Sequence, residues 1–128
     1  PSVDVIMLGG ELRKGHRYLF GPLTMAAIAT IHADLAVICP GAFVAGRGFV
    51  TDFPQMAEIK QAAMSAASHS VALMDASKLT SRGTYCFAPI HAVDHIVIDK
   101  DDEGTLSDAL DKLPNDAKRP QLIVTTEQ

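Results

Sequence analysis

Five short apolar runs punctuate the chain: Val3 to Leu8, Leu35 to Cys39, Val71 to Met74, His95 to Ile98 and Leu122 to Thr125. Each has the length of a strand and is nearly continuous in hydrophobicity, without the alternation of a strand that keeps one face wet. This pattern predicts strands buried on both faces of a parallel sheet covered by helices. Helical spacing lies between them. Pro22 to His32 predicts a helix with Pro22 in its first turn and a broad apolar face. Met56 to Ser68 predicts a second, with Met56, Ile59, Ala63 and Ala67 on one stripe and Glu58, Gln61, Ser65 and Ser68 off it. Its start reads as Asp52 at the N-cap, Pro54 in the first turn and Gln55 completing a variant capping box. Thr105 to Leu113 predicts a third helix, closed by Pro114-Asn115. The alternation gives an α/β fold with a mostly parallel sheet flanked by helices and joined by right-handed crossovers. Ligands of such sheets sit beyond the carboxyl ends of the strands, so those ends are where chemistry is sought.

Length and charge narrow the picture. The 128 residues suit one domain, and 48% apolar against 20% charged residues excludes disorder for most of the chain. A formal charge of −4, with no Lys/Arg cluster longer than a pair, means that this chain alone offers no basic face to a nucleic-acid backbone. No apolar run approaches the roughly 20 residues of a membrane span, so no membrane partner is expected. The opening Pro1-Ser2-Val3-Asp4 carries neither an initiator Met nor the pattern of a signal peptide and reads as a cut. Cys39 and Cys86, in no C-x-x-C pair, predict two buried thiols in a reducing cytoplasm rather than a disulfide.

Several strand ends carry polar groups. The first run feeds Gly9-Gly10, which suits a turn or a backbone close to an anion but lacks the Lys-Ser/Thr of a phosphate loop. The second runs into a long loop, Pro40 to Asp52, and then into the helix with Glu58 and Lys60; a crevice role and a solvated helix face both explain this pair. The third ends in Asp75-Ala76-Ser77-Lys78. Asp75 suits sugar hydroxyls and Lys78 a phosphate, while a cap at Asp75 or Ser77 beside an exposed lysine fits as well. The charged stretch Asp99 to Gly104 reads as a solvated connection into the third helix. His91 and His95 would chelate a metal only on one helix, which the following Ile96-Val97-Ile98 argues against. His16, His32 and His69 sit at element ends, where capping or packing is the default, and no nucleophile with a base is evident.

In order, Val5 to Leu12 around the Gly-Gly pair, Gly21-Pro22-Leu23, His32-Ala33-Asp34, Gly46-x-Gly48-Phe49-Val50-Thr51, Glu58-x-Lys60-x-x-x-Met64 and Asp75-Ala76-Ser77-Lys78 resemble the C-terminal effector-sensing domain of DeoR-family bacterial transcriptional repressors. The resemblance extends through His95 to Asp99 and covers nearly the whole chain. It implies the ribose-5-phosphate isomerase and CoA transferase fold, incomplete at its N-terminus. Residues 1–128 would then be the C-terminal part of the sensing domain, without the family's Gly-Thr-Thr phosphate loop, its Thr-Asn segment or its winged helix-turn-helix. It also implies a phosphorylated sugar or related metabolite as effector, DNA contact only through the missing domain, no cofactor, no catalysis, a homo-oligomer and a cytoplasmic location. By that likeness Gly9 and Gly10 would shape the crevice, Asp52, Glu58 and Lys60 would face the sugar, and Asp75 and Lys78 would complete the site.

The alternative is a sugar-phosphate isomerase or deaminase of the same fold, with Glu58 or Asp52 as general base and Lys60 or Lys78 steadying an enolate. A third reading is an oligomerisation module.

Overall fold

A computed structural model describes residues 2–15 and 18–125. His16 lies outside them. The chain begins with an antiparallel pair, β1 (Glu11–Arg13) and β2 (Tyr18–Phe20), followed by helix α1 (Pro22–Ile28) and strand β3 (Ala33–Ile38). Next come a hairpin, β4 (Ala42–Val44) and β5 (Gly48–Thr51), helix α2 (Pro54–Ala66) and strand β6 (Ala67–Met74). Then follow β7 (Tyr85–Ala88), β8 (His95–Ile98), helix α3 (Thr105–Asp111) and β9 (Gln121–Val124). Two 3-10 turns, Ala76–Leu79 and Ile90–Ala92, flank β7.

The main sheet is four-stranded and wholly parallel, in the order β3-β6-β8-β9. The expected α/β architecture is therefore present, and four of the five apolar runs are its strands. The order advances in one direction only. Right-handed crossovers that always step the same way return on the same face of a sheet, and the second face is covered only where the order reverses. Side chains follow that rule. Ala36, Ile38, Ala72, Met74, Ile96 and Ile98 point into a core completed by Phe43, Phe49, Phe87, Ile90, Leu106 and Leu110. On the opposite face Leu35 is 51% exposed, Val37 55%, Leu73 45% and Ile123 38%. Burial on both faces, expected from the hydrophobic runs, holds for one face among the described residues.

Three other expectations are corrected. Val3 to Leu8 forms no strand: Val3, Val5, Ile6 and Met7 are irregular and exposed, and no strand among the described residues pairs with them. The stretch from Pro40 to Asp52 is not an open loop. It folds as the β4–β5 hairpin and joins β7 in a three-stranded antiparallel sheet, where the rings of Phe43 and Phe49 pack tilted, 5.4 Å between centroids. Gly48 (φ +120°) permits this, since a Cβ there would collide with the carbonyl of Ala88. Finally, Cys39 and Cys86 are free thiols but exposed, because each stands at the end or the wet face of its strand.

Helix ends shift for physical reasons. The first helix stops at Ile28 and the third at Asp111. The second starts at Pro54 with Phe53 as its extended N-cap and no side-chain cap, so Asp52 and Gln55 form no capping box. Proline at the first helical position already sets the required φ.

Candidate functional site

The carboxyl edge of the parallel sheet begins at Cys39, which leaves β3, the free edge strand. The Lys60 ammonium donates to the Cys39 carbonyl oxygen at 2.6 Å and lies 5.9 Å from the Phe87 ring centroid. Next to it, Gln61 donates to the Phe87 carbonyl at 3.0 Å. α2 is thereby held across the ends of β3 and β7. Burial strips water from Lys60 and lowers its pKa below the ordinary 10.5, with Cys39 acting weakly the other way. A half-buried ammonium that faces a neutral carbonyl and an aromatic ring keeps unused donors and, among the described residues, lacks a paired carboxylate.

A second group stands at the head of the chain. Gly10 (φ +142°) has no room for a Cβ, which would strike the Thr24 hydroxyl and come within 2.8 Å of the Phe20 carbonyl. The buried Thr24 donates to the Gly9 carbonyl at 2.6 Å. The Gly-Gly turn is thus pinned on α1, and the strand that leaves it carries Arg13, whose guanidinium carbon sits 3.9 Å from the centroid of the Phe53 ring. Phe53 follows Asp52 at the start of α2, so the strand that leaves the Gly9-Gly10 turn meets the entry to that helix, while Lys60 stands near the helix middle.

The third group follows β6 and β8. Asp75 accepts from the Ser77 amide at 2.9 Å and from the Ser77 hydroxyl, and these bonds hold its carboxyl below the ordinary carboxylate value. The capping role weighed for Asp75 is therefore the one seen, with its second oxygen free. Lys78 follows in the same 3-10 turn, and β4 packs against that turn. Asp99 accepts from the amides of Ala76 at 2.8 Å and Lys100 at 2.9 Å. Asp101 accepts from those of Leu106 and Ser107, at 3.2 and 3.0 Å, so the charged connection starts α3 as expected.

The Arg13–Phe53 contact thus brings the strand after Gly9-Gly10 to the residue following Asp52, Lys60 meets the end of β3, and Asp75 and Lys78 follow the next strand, β6, in and before its 3-10 turn. Glu58 is exposed and two positions before Lys60, about 200° around the helix, so the two do not share a face. His91 lies in a 3-10 turn and His95 opens β8; they do not form one helical face. Arg13, Phe53 and the Cys39 carbonyl escaped the sequence reading. Their signal was position alone: Arg13 stands three residues after Gly10, and Phe53 directly after Asp52. A separate cleft of about 540 Å³ lies between α3 and the β4–β5 turn, lined by Phe43, Arg47, Ile90, Asp108 and Lys112 among others; no expected site residue reaches it.

A family model described as the DeoR C-terminal sensor domain matches residues 1–100. The chain is 27% identical over 111 residues to the HTH-type transcriptional repressor GlcR of Bacillus subtilis (strain 168), an alignment covering 87% of this chain and 43% of that protein. It therefore spans less than half the length of that relative. No solved structure matches it.

Proposed function

The chain belongs to the DeoR C-terminal sensor domain family, and from this premise we propose that it binds a phosphorylated sugar or related anionic metabolite, thereby tuning the operator affinity of a DNA-binding unit carried elsewhere in a longer polypeptide. Such a repressor acts where the DNA is, in the bacterial cytoplasm, and as a homo-oligomer matched to a symmetric operator.

The observation that carries this reading is the Lys60–Cys39 contact at the carboxyl edge of the parallel sheet, the edge at which α/β sheets take ligands. A desolvated ammonium with no carboxylate partner among the described residues gains most from an arriving oxyanion. Asp75, with one oxygen tied to Ser77 and one free, suits sugar hydroxyls, and Lys78 adds a second cation. Gly9 and Gly10 shape the adjoining wall. Effector binding changes operator affinity only through a difference in its affinity for the DNA-bound and released states.

The family is one of regulator sensors and not of enzymes. Isomerase or deaminase chemistry would need a base beside a cation. Glu58 and Lys60 face different sides of α2, and among the described residues no ion pair joins Asp52 to Lys60 or Lys78, so no observation favours that second reading.

The test is operator binding by the full-length repressor, followed by fluorescence anisotropy against ribose 5-phosphate, glucose 6-phosphate, glucosamine 6-phosphate and their unphosphorylated counterparts. At least one phosphorylated sugar should change the operator Kd by about fivefold or more, with the neutral sugar inert. An unchanged operator Kd across the panel contradicts the proposal.

A further inference from the structure

We infer that Arg13 is the residue that fixes the anionic group of the effector, a role that rests on the sensor reading above and names its oxyanion partner. Three devices converge on the placement of this side chain. Gly10 admits no Cβ, the Thr24 hydroxyl holds the Gly9 carbonyl, and β1 pairs with β2 in a register that sets Arg13 opposite Tyr18. Together they fix the backbone three residues before and at Arg13. The Phe53 ring, 3.9 Å from the guanidinium carbon, then fixes the head group.

A guanidinium carries its five donors on its rim, so a ring over its face immobilises it without consuming them. Among the described residues no hydrogen bond or ion pair uses those donors; the ion pair found there joins Lys118 to Asp94. Other cations differ. Arg119 donates to the Leu110 and Leu113 carbonyls, Lys118 is paired, and Lys60 is committed in part to Cys39. Among the described residues Arg13 is a cation both held in place and unpaired, set against the ring of Phe53, which directly follows Asp52.

A fixed, planar, unpaired fork is the form of cation that recognises a phosphate by two parallel hydrogen bonds, and holding it in advance removes much of the ordering cost of binding. The division of labour follows. Arg13 forks the phosphate, Lys60 and Lys78 add the charge assigned to them above, and Asp52 and Asp75 accept from sugar hydroxyls.

The probe is inorganic phosphate, titrated into the full-length repressor while arginine Nε–H cross-peaks are followed by NMR. The Arg13 peak is assigned by its loss in Arg13→Lys. It should shift saturably with phosphate and stay still with glucose. Where an effector is found by operator titration, Arg13→Lys should weaken it about ten- to a hundredfold, because charge remains but the fork is lost. Phe53→Leu, which keeps bulk but removes the stack, should weaken it less. A stationary Arg13 peak, or an effector whose affinity is the same in Arg13→Lys, overturns the inference and leaves the sensor reading standing. A shifting peak with no operator response to any sugar phosphate supports the anion site and overturns the sensor reading instead.

Discussion

The ammonium of Lys60 lies 2.6 Å from the carbonyl oxygen of Cys39, so α2 is tied near its middle to the residue that leaves β3. The bond spans 21 positions and joins the first crossover helix to the edge where ligand is expected. Because burial lowers the Lys60 pKa, the folded protein gives up this proton more readily than the unfolded chain. Between the lowered value and 10.5 the unfolded state binds more protons, and stability rises with pH. Urea denaturation of wild type and Lys60→Met should therefore show the difference moving in favour of wild type as pH climbs from neutrality towards that limit. A difference independent of pH would refute the account of this lysine.

Asp94 shows the opposite sign. Its carboxylate sits 2.7 Å from the Lys118 ammonium and accepts from the Ser70 amide at 2.7 Å, and these bonds hold its pKa below the ordinary 3.8. The stability it gives is complete above 3.8 and lost as pH falls through the lower folded value. Asp94→Asn should cost about 1–2 kcal/mol at neutral pH, discounted for the exposed lysine partner. The gap should close below pH 3.8, as read by acid titration of the denaturant midpoint.

The Gly-Gly turn separates two neighbouring glycines by environment. Gly10 holds a positive φ with no space for a Cβ, whereas a Cβ on Gly9 would meet nothing within 4 Å. Gly10→Ala should destabilise by about 2 kcal/mol or more, and Gly9→Ala by no more than about 0.5 kcal/mol. Equal costs in chemical denaturation would show that the turn is not pinned on Thr24 as described.

The uncovered face of the parallel sheet makes a prediction about the chain by itself. Leu35, Val37, Leu73 and Ile123 form an apolar patch on strands whose type is normally covered on both sides. Residues 1–128 in isolation should self-associate at micromolar concentration in sedimentation velocity. Val37→Thr with Leu73→Thr should reduce that association while changing stability by less than about 1 kcal/mol. A monodisperse monomer in both forms would contradict it.

How much of this was legible in the sequence depends on whether the cause was local. Runs such as His95 to Ile98 named their strands because β-branched apolar residues in a short stretch have few other uses. The helices were placed by Pro22 and Pro54 and by apolar spacing. The glycines of the β4–β5 hairpin suggest irregular chain, while the pairing with β7 that completes its sheet comes from more than 30 positions away. Val3 to Leu8 has strand composition but no described partner, and composition cannot supply a neighbour. At the site, Asp75 and Lys78 stood out because they directly follow a strand. Arg13 did not, since its importance rests on the contact with Phe53, 40 positions on, which no spacing rule encodes.

The central claim is that effector binding at this edge and operator binding are coupled, and coupling is reciprocal. Its most direct measurement is the Kd of the active sugar phosphate for the full-length repressor, by calorimetry, with and without saturating operator DNA. The account predicts that operator changes the effector Kd by the same factor by which effector changes the operator Kd, about fivefold or more. An effector Kd identical in both conditions would mean that the two events are independent and that the domain does not sense on behalf of the DNA-binding unit.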